Sequence, residues 1–145
     1  MTAPKYFTIA EMTATSTGLA NSPDSWGIFS NLMATANKLD VIREAFGAAI
    51  RVNSGYRSKA VNTRVGGVST SAHLQGLAAD ICAYSASEKA NRELYFVCLD
   101  LVRGLDIDQL ILYTTRAGDK NSDIRFVHIG FKSDDSKARH QLLYK

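Results

Sequence analysis

The chain contains three histidines, and two of them stand where an unpartnered imidazole would be costly. His73 lies in the loop sequence Ser71-Ala72-His73-Leu74-Gln75-Gly76, and seven residues later Asp80 interrupts the apolar run Leu77 to Ala83. His128 sits between β-branched residues in Phe126-Val127-His128-Ile129. Each residue has an ordinary reading: a strand histidine is often a hydrogen-bonded core residue, and a strand aspartate often marks a turn or an edge. Two imidazoles and one carboxylate also form a mixed nitrogen and oxygen set suited to Zn²⁺, with a fourth position left for water. A strand would fix the carboxylate of Asp80, a loop would swing His73 to meet it, and Gly76 would permit the bend and close approach this needs.

The elements that must carry these residues follow from periodicity. Ile28, Phe29, Leu32, Met33, Ala36, Leu39, Ile42 and Phe46 recur at helical spacing. Ser22-Pro23 reads as the start of that helix and Gly47 as its stop. Ala49 to Asn53 is a strand candidate running into Ser54-Gly55-Tyr56-Arg57-Ser58, and a small helix fits Lys59 to Arg64 before the Gly66-Gly67 break. Leu77 to Ala83 reads as a strand. Ser87 is an expected N-cap for a second long helix through Val102, with Ala90, Leu94, Val97 and Leu101 on one face and Gly104 ending it. Gln109 to Thr114 and Ile124 to Phe131 complete the strands, joined by the polar stretch Thr115 to Asp123. This order predicts an α+β fold, a small mostly antiparallel sheet with helices packed against it.

At 145 residues, with 46% hydrophobic and 21% charged residues, the chain is expected to be one globular domain spanning 1–145, with 132–145 a polar and flexible tail in which Leu142 and Leu143 are candidates to dock. The net charge of +3 is dispersed, with no basic stripe interleaved with aromatics, so no nucleic-acid partner is expected. No apolar run approaches the roughly 20 residues that span a bilayer, so no membrane partner is expected either. Met1 to Tyr6 lacks the apolar core of a secretory leader, which implies synthesis in the cytoplasm and another route to any site outside it. Cys82 and Cys98 form no CxxC pair and are expected to be reduced core residues. Cys82 would share a strand face with Asp80 but is read as core, since a thiolate there would close the site to water. A monomer is the default.

The ordered set Ser54-Gly55-Tyr56-Arg57-Ser58, Asn62, Val65-Gly66-Gly67, Ser71-x-His73-x-x-Gly76-x-Ala78-x-Asp80 and Phe126-Val127-His128-Ile129 resembles the zinc D-alanyl-D-alanine carboxypeptidases, in particular their compact phage-type branch. Tyr6-Phe7-Thr8 and Asp108-Gln109-Leu110-Ile111 extend the likeness over nearly the whole chain. The resemblance implies a hedgehog/D-Ala-D-Ala peptidase-like fold and one Zn²⁺ per chain held by His73, Asp80 and His128. It implies that Arg57 contacts a substrate carbonyl or carboxylate, for which a guanidinium is a planar and permanently charged donor fork. The ordinary reading of Arg57 is a salt bridge that pins its loop. Ser71 and Gln109 are candidates to orient the ligands, and Tyr56 for loop packing.

Hydrolysis also needs a group to take and return a proton. Relatives place a Glu three residues before the last histidine, where this chain has Arg125, or an acid at the end of the strand holding Leu112-Tyr113. Others use a side chain five residues before the last ligand, and Asp123 stands there, making it the base candidate, with Asp119 and His140 as alternatives. The implied function is a zinc metallopeptidase cutting D-Ala-type stem or cross-link peptides of bacterial peptidoglycan, as a phage or prophage lysin that reaches the wall after release. The competing reading is a zinc-stabilised, non-catalytic wall-binding or virion module.

Overall fold

A computed structural model describes residues 2–145; Met1, part of the Met1 to Tyr6 stretch considered above for a leader, lies outside the described residues. Helix α1 (Ile9–Met12) is closed by a capping box between Thr8 and Glu11. The long helix α2 (Trp26–Phe46) starts three residues later than its Ser22-Pro23 signal, because Ser25 takes the N-cap and accepts from the Ile28 N–H. It ends at Gly47 with φ 76°, the left-handed stop that glycine supplies. Its inward stripe is Leu32, Ala36, Leu39 and Ile42, all fully buried.

Strand β1 (Ile50–Ser54) and helix α3 (Lys59–Arg64) precede a single 3₁₀ turn, Ala72–Gln75. Then follow β2 (Ala78–Ala83), α4 (Glu88–Asp100), β3 (Gln109–Thr114) and β4 (Ile124–Gly130). Ser87 caps α4 as read from the sequence, but the buried face of that helix is Asn91, Leu94, Tyr95 and Cys98. The stripe is rotated because Asn91, polar and unmarked by hydropathy, turns inward, where its Oδ1 accepts from the Ala83 N–H at 2.8 Å. That bond ties α4 to the end of β2.

The expectation of a flexible tail is corrected. Gln141–Tyr144 forms β5, an edge strand running parallel to β3 in a five-stranded sheet of order β1-β2-β4-β3-β5. The other three strand pairs of the sheet are antiparallel, in keeping with the mostly antiparallel sheet expected. Docking is held by a long-range contact: Arg139, just before the strand, makes a forked ion pair with Asp108 (2.9 and 2.8 Å) and donates its backbone N–H to the same carboxylate at 3.0 Å.

Side chains alternate across the sheet. Ala79, Ile81, Leu110, Leu112, Val127 and Ile129 point into the core beneath α2 and α4. Asp80, Gln109, Ile111, Tyr113, Phe126 and His128 line the opposite face, which opens into a cleft of about 700 Å³. No helix among the described residues is long and apolar enough to cross a membrane. Both cysteines are free thiols; Cys98 is buried core, its thiol pushed up to about 12 by burial, whereas Cys82 is half-buried rather than core.

Candidate metal centre

Register sets the site. Ser54 lies opposite Asp80, Asp80 opposite His128, and His128 opposite Ile111, so one straight row crosses four strands on the cleft face. Directly opposed residues of antiparallel strands bring their side chains within about 5 Å. His128 Nδ1 accordingly meets Asp80 Oδ1 at 2.8 Å. A bulge between Val52 and Ser54 ends the β1 pairing beside Asp80 and turns the chain into the Gly55-Tyr56-Arg57 loop.

His73 arrives from the 3₁₀ turn. Ser71 caps that turn by accepting from the His73 N–H at 3.2 Å, and Gly76 ends it with φ 72°. A Cβ at Gly76 would stand 2.8 Å from the Ile28 carbonyl, so only glycine lets the turn lie against α2. Thr35 Oγ1 then donates to the Gly76 carbonyl at 2.7 Å. Thus docked, His73 is 2% exposed, and its Nε2 lies 3.3 Å from Asp80 Oδ1.

The other ring nitrogen fixes the orientation of the ring. His73 Nδ1 lies 2.7 Å from the Gly55 carbonyl, which can only accept, so Nδ1 carries a proton and Nε2 is the nitrogen left to face the centre, where its lone pair is the one a metal ion would take. Gly55 is itself obligatory: a Cβ there would collide with the Met12 carbonyl, the group that accepts from the Tyr56 N–H at 2.8 Å. Tyr56 is buried and packs, as expected from the sequence.

The ligand atoms of His73, Asp80 and His128 all lie within 4.8 Å of one another. Metal–ligand bonds of about 2.0–2.2 Å around a tetrahedral ion require ligand separations of roughly 3.4 Å, so this donor set fits one metal ion. A ligand carboxylate must be ionised. Burial pushes the pKa of Asp80 up, but hydrogen bonds from His128 and His73 more than reverse this and hold it well below the usual carboxylate range.

Arg57 closes one side of the centre. Its Nε donates to Ser54 Oγ (3.0 Å), Nη1 to Asn62 Oδ1 (3.4 Å) and Nη2 to Asp80 Oδ2 (3.3 Å). A guanidinium has five N–H donors, so one on each Nη is left for a ligand in the cleft. Asn62 is held by donating to the Val68 carbonyl at 2.9 Å, and a Cβ at Gly67 would strike its Oδ1. The Asn62 and Gly67 positions of the motif are therefore the support of Arg57.

The remaining candidates fall elsewhere. Asp123 is exposed and does not line the cleft; it closes the β3–β4 loop, its backbone carbonyl accepting from the Thr115 N–H at 2.8 Å. Asp119 is occupied within that loop by Arg116 and the Asn121 N–H, and His140 Nε2 is buried 3.5 Å from Asp106 Oδ1. Gln109 lines the cleft but donates to Gln141 at 2.7 Å rather than to a ligand. The orienting group missed at the level of sequence is the Gly55 carbonyl, for which the glycine of the SGYR segment was the available signal.

Residues 5–96 match the profile of the family described as Peptidase M15. The chain belongs to the peptidase M15 family. The zinc D-Ala-D-Ala carboxypeptidase of Streptomyces albus G is 42% identical to it over 89 residues, covering 57% of this chain and 33% of that protein. The chain thus matches about a third of the length of that M15 relative. Arg57, His73 and Asp80 fall inside the matched family segment, while His128 lies beyond it and joins the centre through strand register.

Proposed function

We propose that the chain is a zinc-dependent peptidase acting on D-alanyl peptides of bacterial peptidoglycan. The observation that carries this reading is the convergence of His73, Asp80 and His128 on one point of an open cleft, with the spare donors of Arg57 beside it. The relative's name, which specifies zinc and D-Ala-D-Ala, supports the choice of metal and substrate. Zinc bound by these three residues supplies Lewis acidity and lowers the pKa of water to about 7.

The chain's own groups do the rest. Gly55 holds the orientation of the His73 ring, and the two imidazoles keep Asp80 ionised. Arg57 offers two N–H donors to the oxygen on which charge develops, in a partly buried setting where such bonds strengthen. Tyr113 is the diagonal neighbour of His128 on the cleft face. Burial first, and then the charge of Asp80, raise its phenol above the ordinary value, so at neutral pH it is an O–H donor facing the substrate.

One observation favours a second reading, a zinc-stabilised binding module. Among the described residues that line the cleft, the only carboxylates are Asp80, a metal ligand, and Asp108, saturated by Arg139. Incubating the zinc-loaded protein with purified sacculi, and assaying new amine and carboxylate ends, separates the two. New ends that vanish in His73→Ala establish the peptidase. Sedimentation with sacculi without new ends establishes the module.

A further inference from the structure

Besides Arg57 at the centre and Lys145, the cleft holds a separate basic group at one end. Beyond Gly130, at the end of the sheet where Gln109 pairs with Gln141, it is lined by Lys132 and Arg139 around the single carboxylate of Asp108. Asp108 is 5% exposed, and its oxygens are already taken by the backbone N–H, Nε and Nη2 of Arg139. That fork leaves both N–H groups of Arg139 Nη1 unused. Lys132 Nζ stands 3.8 Å from Asp108 Oδ2, beyond hydrogen-bond distance, and both cations are about half-exposed (44% and 51%). Two cations therefore share one saturated anion, and a positive charge is left over facing the cleft. On the opposite side of the centre the wall is Gly66, Gly67, Val68 and Thr70, none of them charged, with the Arg57 guanidinium beside Gly67.

We propose that Lys132, with the free Nη1 edge of Arg139, forms a carboxylate-binding subsite that orients the substrate in the cleft. This rests on the peptidase reading and names which end of the peptide lies where. Lys132 follows His128 by four residues, so their Cα atoms are at most about 13 Å apart, and the lysine side chain can reach back roughly half of that. An extended peptide advances about 3.3 Å per residue, so the carboxylate held by Lys132 belongs to a residue one or two positions from the bond cut. The Gly66 to Thr70 wall then faces the part of the substrate with small, neutral side chains, and Arg57 beside it meets a backbone oxygen. Two sources share this chemistry: the terminal carboxylate of a departing residue, and a side-chain carboxylate of its neighbour.

The test is titration of the zinc-loaded protein, followed by the backbone resonances of residues 128–139, with two matched pairs. N-acetyl-D-alanyl-D-alanine against its C-terminal amide probes the terminal source. N-acetyl-D-isoglutamyl-D-alaninamide, whose only carboxylate is the glutamyl α-carboxylate, against N-acetyl-D-isoglutaminyl-D-alaninamide, which has none, probes the side-chain source. In at least one pair the acid is expected to bind about tenfold tighter than the amide, the scale of one charge-assisted hydrogen bond. Lys132→Gln should bring that ratio to within about twofold, Lys132→Arg should restore it, and Lys59→Gln, an exposed charge outside the cleft, should leave it intact. Equal binding of acid and amide in both pairs, or an unchanged ratio in Lys132→Gln, overturns the subsite. Because the readout is binding, sacculi left uncut would count against the peptidase while leaving this ratio to be judged on its own.

Discussion

Asp80 and Asp108 make an instructive pair. Both are almost fully buried, both line the same cleft, and both ionise below the usual carboxylate range. Their partners differ in kind. Asp108 is depressed first by the side-chain bonds of Arg139, a permanent cation whose fork fills the carboxylate. Asp80 faces two imidazole nitrogens through one oxygen and a long 3.3 Å contact to Arg57 through the other. A neutral imidazole has a ring-nitrogen lone pair to give a metal ion, whereas a guanidinium has none. A buried acid sits in a donor set that fits a metal in one place and is a structural clamp in the other, and the donor capacity of its neighbours decides which.

Removing a ligand should break that contrast most severely. His73→Ala or Asp80→Ala is expected to abolish stoichiometric zinc, measured by metal analysis of the purified protein, because two remaining donors do not make a closed site. Asp108→Asn should leave zinc at the wild-type ratio. Next comes Gly55→Ala, which alters no ligand. Its new methyl would run into the Met12 carbonyl and push away the carbonyl that orients His73. Loss of such a supporting bond typically costs 10–100-fold in metal affinity, so a competition titration against a chelator should find about that drop. An unchanged affinity would mean that the His73 ring orientation is set by something other than Gly55.

Asp108→Asn should instead lower stability. Breaking a buried ion pair costs up to about 3–5 kcal/mol, but the half-exposed Arg139 regains water, so about 1–2 kcal/mol is expected in urea denaturation at pH 7. The sign with pH follows from the depressed pKa. The contribution of Asp108 is fully present above its unfolded value of about 3.9 and is lost as pH falls through the lower folded value. The gap between wild type and Asp108→Asn should therefore be widest at neutral pH and shrink below pH 4. The amides of 141–144 should exchange faster in the variant, since Arg139 is what ties β5 to its neighbour.

The sequence was most legible where chemistry and local geometry coincide. The three side chains that converge, the Gly47 end of α2, the Ser87 start of α4 and helix α3 could be read, because an imidazole in an apolar strand, a Ser N-cap and a left-handed glycine each have few alternatives, although the α2 start was read three residues early. The register that puts Asp80 opposite His128 could not be read, because 48 residues separate them and only the closed sheet fixes their pairing. Leu142 and Leu143 marked a segment able to dock, but the strand β5 and its pairing could not be read, for a related reason. Lys132 to His140 is polar and reads as tail, and the long-range Asp108–Arg139 fork that holds it leaves no periodic trace. Asn91 shows the same limit at short range, since a buried amide that caps a strand looks like a surface residue to hydropathy.

The smallest effect is expected at Asp123, and it bears on where the proton goes. Spacing placed this residue five positions before His128, as a base, but the bulge between Tyr113 and Thr114 shifts the β3–β4 register there, so Thr114 pairs with Ile124. Asp123 is left exposed at the loop end, with its backbone rather than its carboxylate holding the turn. Asp123→Ala should change stability by no more than about 0.5 kcal/mol and leave zinc binding and sacculus hydrolysis at wild-type levels. Tyr113→Phe, which keeps the ring stacked on Phe126 at 4.5 Å and removes only the hydroxyl, should lower the hydrolysis rate on the order of tenfold with zinc retained. If the two variants behaved the other way round, with Asp123→Ala inactive and Tyr113→Phe unaffected, the β3–β4 loop would have to fold over the cleft during turnover, and the carboxylate rather than the phenol would be the proton carrier.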